Sequence, residues 1–195
     1  MGASTGGVTD TPEQMHFRRM DAGTDADFAV LAHVHEQNVA ALPDLLMGML
    51  TRLHADAAYP VDRCEHSLQA ATRALRDGRD EEYVVCALLH DIGESLGPFN
   101  HGDIVAAVLR PFISEANHWM LAHHPVFQVY FYGQHLGIDP NERDAYRDSP
   151  YFDRTAEFCA LYDEVSFDAA YDSEPMSTFE PMVRRVLHKD WTPPS

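Results

Sequence analysis

The side chains of this chain best suited to chemistry are its histidines, of which there are twelve. The informative ones are His66, the adjacent pair His90-Asp91, His101 and the pair His123-His124, with Asp163 further on. Imidazoles and carboxylates together suit first-row metals such as Fe, Mn or Zn. His90 closes an apolar stretch, and Asp91 follows it in the tetrapeptide HDIG. A buried carboxylate at that place is costly unless a cation neutralises it. Gly93 permits a tight turn that brings the chain back towards His101. A lone histidine on an apolar face is more often a hydrogen-bonded core residue, and His35, His54, His118, His135 and His188 read that way. The ordered series His66, His90-Asp91, His101, His124, Asp163 reads instead as a metal set, because its members fall on successive helices.

Those helices follow from periodicity and caps. From Asp25 the apolar residues recur at helical spacing, and a second helical segment follows Pro43. Asp62 precedes a helix that ends near Gly78, a C′ glycine. Asp80 caps the next helix, whose run VVCALL is apolar nearly all round and so central. Asn100 opens a helix that stops at Arg110-Pro111. Ser114 caps EANHWMLAHH, which breaks at Pro125. The run VFQVYFY, residues 126–132, is either a strand or an aromatic helix wall. Asp139-Pro140 reads as a cap with proline at the first helical position. Asp153 opens a helix through Asp163, and Ser177 with Glu180 forms a capping box for the last one.

The pattern predicts an all-α chain, with residues 1–23 a flexible tail, 24–190 a single helical domain and 191–195 a second tail. Lys plus Arg number 14 against 31 Asp plus Glu, a net charge of −17. A surface that acidic repels phosphate backbones and anionic headgroups, which argues against nucleic acid and membrane partners. Cys64, Cys86 and Cys159 make an odd set without CxxC, which fits a reducing cytoplasm. No secretory h-region or long apolar span is visible in the sequence.

The ordered ligand series and HDIG resemble the HD-domain superfamily over about residues 58 to 188. The resemblance implies a helical bundle with a dinuclear metal site in its core. One branch, the diiron oxygenases, fits best. HSLQAATRA around His66 resembles the matching stretch of myo-inositol oxygenases and of phosphonate-cleaving oxygenases. WMLAHHPVF, AEFCALYDEVSFD and FEPMVRRVL resemble later segments of the inositol oxygenases. What this implies is six ligands, His66, His90, Asp91, His101, His124 and Asp163, with Asp91 bridging two irons as Fe(II)/Fe(III). The substrate is then a small hydroxylated molecule, an amino alcohol or hydroxyphosphonate. With O₂ it is oxidised or cleaved next to the hydroxyl-bearing carbon, and an electron donor acts as partner.

Two positions depart from the inositol oxygenases: Glu94 and Phe167 stand where those enzymes carry substrate-binding lysines. Glu94 is thus a candidate to hold a substrate ammonium or hydroxyl. Tyr59 and Asp62 are candidates for a lid, and His123 for orienting His124; Phe127, Tyr130, Phe131 and Tyr132 with Gln128 form either the pocket wall or a core or dimer face. Arg143, Arg147 and Arg154 either bind an acidic substrate group or pair with neighbouring acids. The alternative chemistry is hydrolysis of a phosphomonoester or nucleotide by Mn, Mg or Zn through a metal-activated water. Phosphohydrolases use cationic clamps, and the central region nearly lacks lysine.

Overall fold

The computed structural model describes residues 14–53 and 59–189, and among them no strand occurs. Residues 1–13 of the expected N-terminal tail, the 191–195 tail and His54 lie outside the described residues. The chain divides into two compact units, Met1–Leu42 with Lys189–Ser195, and Pro43–His188.

In the first unit Asp27 organises the start of helix α1 (Asp25–Arg52). It accepts from the main-chain N–H of His16 at 2.8 Å, from that of Thr24 at 2.9 Å and from the Thr24 hydroxyl at 2.7 Å. These bonds, that from His16 foremost, hold its carboxyl down at about 2. Phe17 stacks on Phe28 at 5.9 Å. Pro43 lies inside α1 rather than between two helices. Strong helix formers on either side, Ala40, Ala41 and Leu42 before and Leu45, Leu46 and Met47 after, sustain the helix across the missing N–H.

The second unit holds α2 (Arg63–Arg76), α3 (Glu81–Leu89), α4 (His101–Leu109), α5 (Glu115–Leu136), α6 (Phe152–Phe158) and α7 (Met176–Val186). The caps read from the sequence form at α2, α3 and α5. Asp62 accepts from Glu65 N–H, Asp80 from Tyr83 N–H and Ser114 from Asn117 N–H. Gly78 has φ +73°, the left-handed turn that ends α2. Every residue of α3 from Tyr83 to Leu89 is buried, and α3 packs against α2, α5 and α7. Burying its Val and Leu side chains contributes about 1.5–3 kcal/mol each, which makes α3 the rigid centre on which His90 is carried.

Several boundaries differ from expectation. Helix α5 does not stop at Pro125 but runs to Leu136, so VFQVYFY is helical. Proline removes the N–H that would bond Leu121 C=O, and the His124 Nδ1–H donates to that oxygen instead, at 2.7 Å. Asp139-Pro140 opens a turn rather than an α-helix. Asp139 Oδ1 accepts from Asn141 N–H at 2.9 Å, and a 3₁₀ segment, Glu142–Tyr146, follows. Helix α6 ends at Phe158 and the chain continues as a π turn, Cys159–Asp163. The capping box at Ser177 does not form, because α7 already begins at Met176 after Pro175.

Candidate metal centre

Four elements and one π turn deliver the six expected residues to one place. His66 stands on the first turn of α2, His90 caps the C-terminus of α3 with Asp91 next to it, and His101 begins α4. His124 lies in α5, and Asp163 ends the π turn. Single π turns widen a helix locally and recur at functional sites.

Close backbone approach makes the convergence geometrically feasible. A Cβ on Gly93 would lie 2.4 Å from the His101 carbonyl oxygen. A Cβ on Gly102 would lie 2.8 Å from the Leu121 oxygen and 2.9 Å from the Pro125 ring. Only glycine lets the HDIG turn touch α4 and lets α4 touch α5 at those two places.

The rings are oriented from behind. His66 Nδ1–H donates to Ser166 O at 2.9 Å, His90 Nδ1–H to Ala87 O at 2.8 Å, and His124 Nδ1–H to Leu121 O at 2.7 Å. A main-chain carbonyl only accepts, so each Nδ1 carries a proton and each Nε2 is the atom turned to the cluster, with a bare lone pair whenever the ring is neutral. His66 Nε2 lies 3.1 Å from His90 Nε2, and His101 Nε2 lies 3.2 Å from His124 Nε2. Lone pairs so close repel unless a proton or a cation lies between them. Metal–nitrogen bonds of about 2.1 Å place two adjacent ligands about 3.0–3.4 Å apart, depending on the angle, so the spacing suits one ion per pair.

The carboxylates complete both groups. Asp91 Oδ2 lies 3.4 Å from His90 Nε2 and 3.7 Å from His66 Nε2. Its Oδ1 lies 3.5 Å from His101 Nε2 and 3.4 Å from His124 Nε2. Asp163 Oδ1 faces the first pair at 3.3 Å and 3.6 Å, while its Oδ2 is buried without a hydrogen-bond partner. A buried carboxylate oxygen left unpaired beside two imidazoles fits a cation. Burial alone would raise both carboxyls. The facing imidazoles overcome it and hold Asp91 and Asp163 well below the usual range. Burial would also lower His90, but Asp91 and then Asp163 push it up to about 9. Burial and the neighbouring His124 lower His101. The sets His66-His90-Asp163, His90-Asp91-His124 and Asp91-Glu94-His101 each have the spacing to hold a metal ion.

Beside the cluster opens a cavity of about 600 Å³. Tyr59, Tyr132, Leu136 and Phe167 form its apolar side, and Arg63, Glu94 and Gln128 its polar side. Helix α2 fixes Phe167. His66, Gln69 and Arg73 lie on one face and donate to the carbonyls of Ser166, Asp168 and Val165. Phe167 then stacks on the His66 ring at 4.4 Å and against Tyr59 at 5.8 Å. Gln128 lies one turn beyond His124, and its Oε1 is buried without a partner.

Glu94, Tyr59, Gln128 and Tyr132 line the cavity. Asp62, Tyr130 and His123 do not. Asp62 caps α2, Tyr130 lies under the Arg143 guanidinium, and His123 stacks on Trp119 at 3.8 Å with its Nδ1–H on Trp119 O. Arg154 binds Asn117 Oδ1, and Arg147 pairs with Asp144. Sequence reasoning missed Arg63. It precedes His66 by three residues, so helical spacing from that ligand was the available signal.

Residues 63–165 match the model of the HD domain, over half of the chain, and the chain belongs to that family. It is also similar to 1-hydroxy-2-(trimethylamino)ethylphosphonate dioxygenase (glycine-betaine-forming) of Leisingera caerulea. The two are 39% identical over 69 residues, 34% of this chain and 35% of that enzyme. The match thus spans about a third of the relative's length. Among the described residues no helix is long and apolar enough to cross a membrane.

Proposed function

We propose that the chain is an oxygenase with a dinuclear iron centre that oxidises or cleaves a small hydroxylated substrate with O₂, next to the carbon bearing the hydroxyl. The observation that carries the dinuclear reading is Asp91, whose two oxygens face two separate histidine pairs. The similarity to a dioxygenase of a hydroxylated phosphonate favours oxygen chemistry over hydrolysis.

His66, His90 and Asp163 would hold one ion, His101 and His124 the other, and Asp91 both. A mixed-valent iron pair supplies the redox capacity and the open coordination for O₂ chemistry. The chain's own residues do the rest. The three main-chain carbonyls lock the imidazole tautomers, which keeps the ligand geometry fixed during turnover. Gln128 is placed to hydrogen-bond a substrate hydroxyl or amine and so orient it towards the cluster. Phe167, Tyr59 and Tyr132 cover the His66 side of the cavity and exclude water there. An electron donor would set the oxidation state of the irons. The three buried free cysteines fit a reducing cytoplasm, and the net charge of −17 disfavours nucleic-acid and membrane-surface partners.

The test is metal analysis with electron paramagnetic resonance of protein from iron-fed cells. It is followed by oxygen uptake with amino alcohols, polyols and hydroxyphosphonates. Two irons per chain, a coupled mixed-valent signal and substrate-dependent uptake are expected. One observation favours a second reading, hydrolysis of a phosphoester with Mn, Mg or Zn: the cavity does contain a guanidinium, Arg63. Phosphate release with manganese and no oxygen uptake would establish it in place of the first.

A further inference from the structure

Among the described residues that line the cavity, Arg63 is the one Lys or Arg. It lies three residues before His66, so α2 presents both on one face. Its side chain is 19% exposed, and its Nη1 pairs with Glu94 Oε2. Its Nη2 donates to the Tyr59 hydroxyl at 3.3 Å, and the guanidinium lies over the Tyr59 ring at 5.2 Å. Burial would lower its pKa, but the bonds with Glu94 and Tyr59 outweigh that and keep it a cation at every working pH. Glu94 is engaged twice, because its Oε1 lies 3.5 Å from His101 Nδ1. His101 is thus the only ring of the four whose Nδ1 faces a carboxylate rather than a main-chain carbonyl.

We infer that Arg63 receives an anionic group of the substrate, a phosphonate or carboxylate, while Glu94 holds the guanidinium beside His101. The inference rests on the reading that this cavity is the substrate site. Three considerations carry it. The whole chain has a net charge of −17, so an anion in this cavity is favoured by local cations, and Arg63 is the one that the lining side chains supply beyond the metal ions. A guanidinium matches the two oxygens of such a group in a planar fork. Tyr59, 42% exposed, is the partner that an entering oxyanion displaces. The substrate class that follows is a hydroxylated anion, with its hydroxyl at the cluster and Gln128 and its charge on Arg63. Glu94 is then a positioning residue with two tasks, holding Arg63 and orienting His101. It is not the site of a substrate ammonium.

The probe is methylphosphonate, titrated calorimetrically into the iron-loaded protein under argon, with metal content measured for every variant. Arg63→Gln should weaken methylphosphonate about ten- to a hundredfold and leave the metal content unchanged. Arg63→Lys keeps the charge without the fork and should lose less. Glu94→Gln removes the competing anion and should tighten binding. The double variant Arg63→Gln/Glu94→Gln should be weaker than Glu94→Gln alone. Equal affinity for wild type and Arg63→Gln overturns the inference. So does a double variant as tight as Glu94→Gln, or a wild type that binds no methylphosphonate. Phosphate release in place of oxygen uptake would sink the oxygenase reading and leave the Arg63 comparison standing.

Discussion

Replacing Gly93 by alanine tests how the cluster is assembled. The new Cβ would lie 2.4 Å from His101 O, where ordinary contact begins near 3.4 Å, so one backbone must move by about 1.0 Å, the difference of the two. His101 is the first residue of α4, and α4 is already seated on α5, where a Cβ at Gly102 would meet Leu121 O at 2.8 Å. Helix α4 therefore cannot retreat into α5 and must shift as a body, taking His101 with it. A bond of about 2.1 Å to a metal does not survive a shift of about 1 Å. On the proposed two-ion reading, the ion of His101 and His124 should be lost, while that of His66, His90 and Asp163 stays. Overpacking of this kind costs about 1–3 kcal/mol, a fall in melting temperature of about 2–12 °C for a chain of this size. Elemental analysis after dialysis against a weak chelator should give two ions per chain for wild type and one for Gly93→Ala. Two ions held by the variant with wild-type affinity would refute the claim that this contact places His101.

Three further outcomes are expected. Pro125→Ala restores an N–H that competes with His124 Nδ1 for Leu121 O, and should weaken the second ion about 10–100-fold with the helix content unchanged by circular dichroism. In metal-free protein, His90 is raised from 6.5 to about 9, so its stabilisation is complete below pH 6.5 and disappears as pH rises through 9. Thermal stability should fall across that window by on the order of 3 kcal/mol, and not in metal-loaded protein; the lowered His101 acts only below 6.5. Asp27 is held near 2 by donors in its own unit, so protection of the His16 and Thr24 amides from hydrogen exchange should be lost only as pH falls from about 4 towards 2. A carboxyl titration midpoint at the ordinary 3.8 would contradict those bonds.

His66, His90, Asp91 and His101 were legible because they sit at points that sequence marks, a helix start, a helix end or a glycine turn, whereas His124, in mid-helix, and Asp163, ending the π turn, were read from the ordered series alone. Asp62, Asp80, Ser114 and Gly78 announce their boundaries by chemistry that acts over three or four residues. Pro43 and Pro125 misled for the opposite reason. A proline penalises a helix locally, but flanking propensity at Pro43, and a side chain that takes up the freed carbonyl at Pro125, are enough to carry the helix through. The π turn before Asp163 has no local signature, since it is set by what the turn packs against. His123 was read as orienting its neighbour His124, and Tyr130 as a wall residue beside Gln128. On a helix, adjacent residues and those two apart face elsewhere, and Arg63 and Tyr132, at three and four, face the cavity.

The main-chain anchoring of His66, His90 and His124 has a bearing on how this protein tolerates change. A carbonyl oxygen cannot be mutated away, so random substitution around the cluster leaves three of the four rings aligned as long as the helices persist. The fourth depends on one genetically alterable residue, Glu94. Drift and laboratory selection alike should then find their adjustable knob at that single codon, turning one ring while the other three stay as they were.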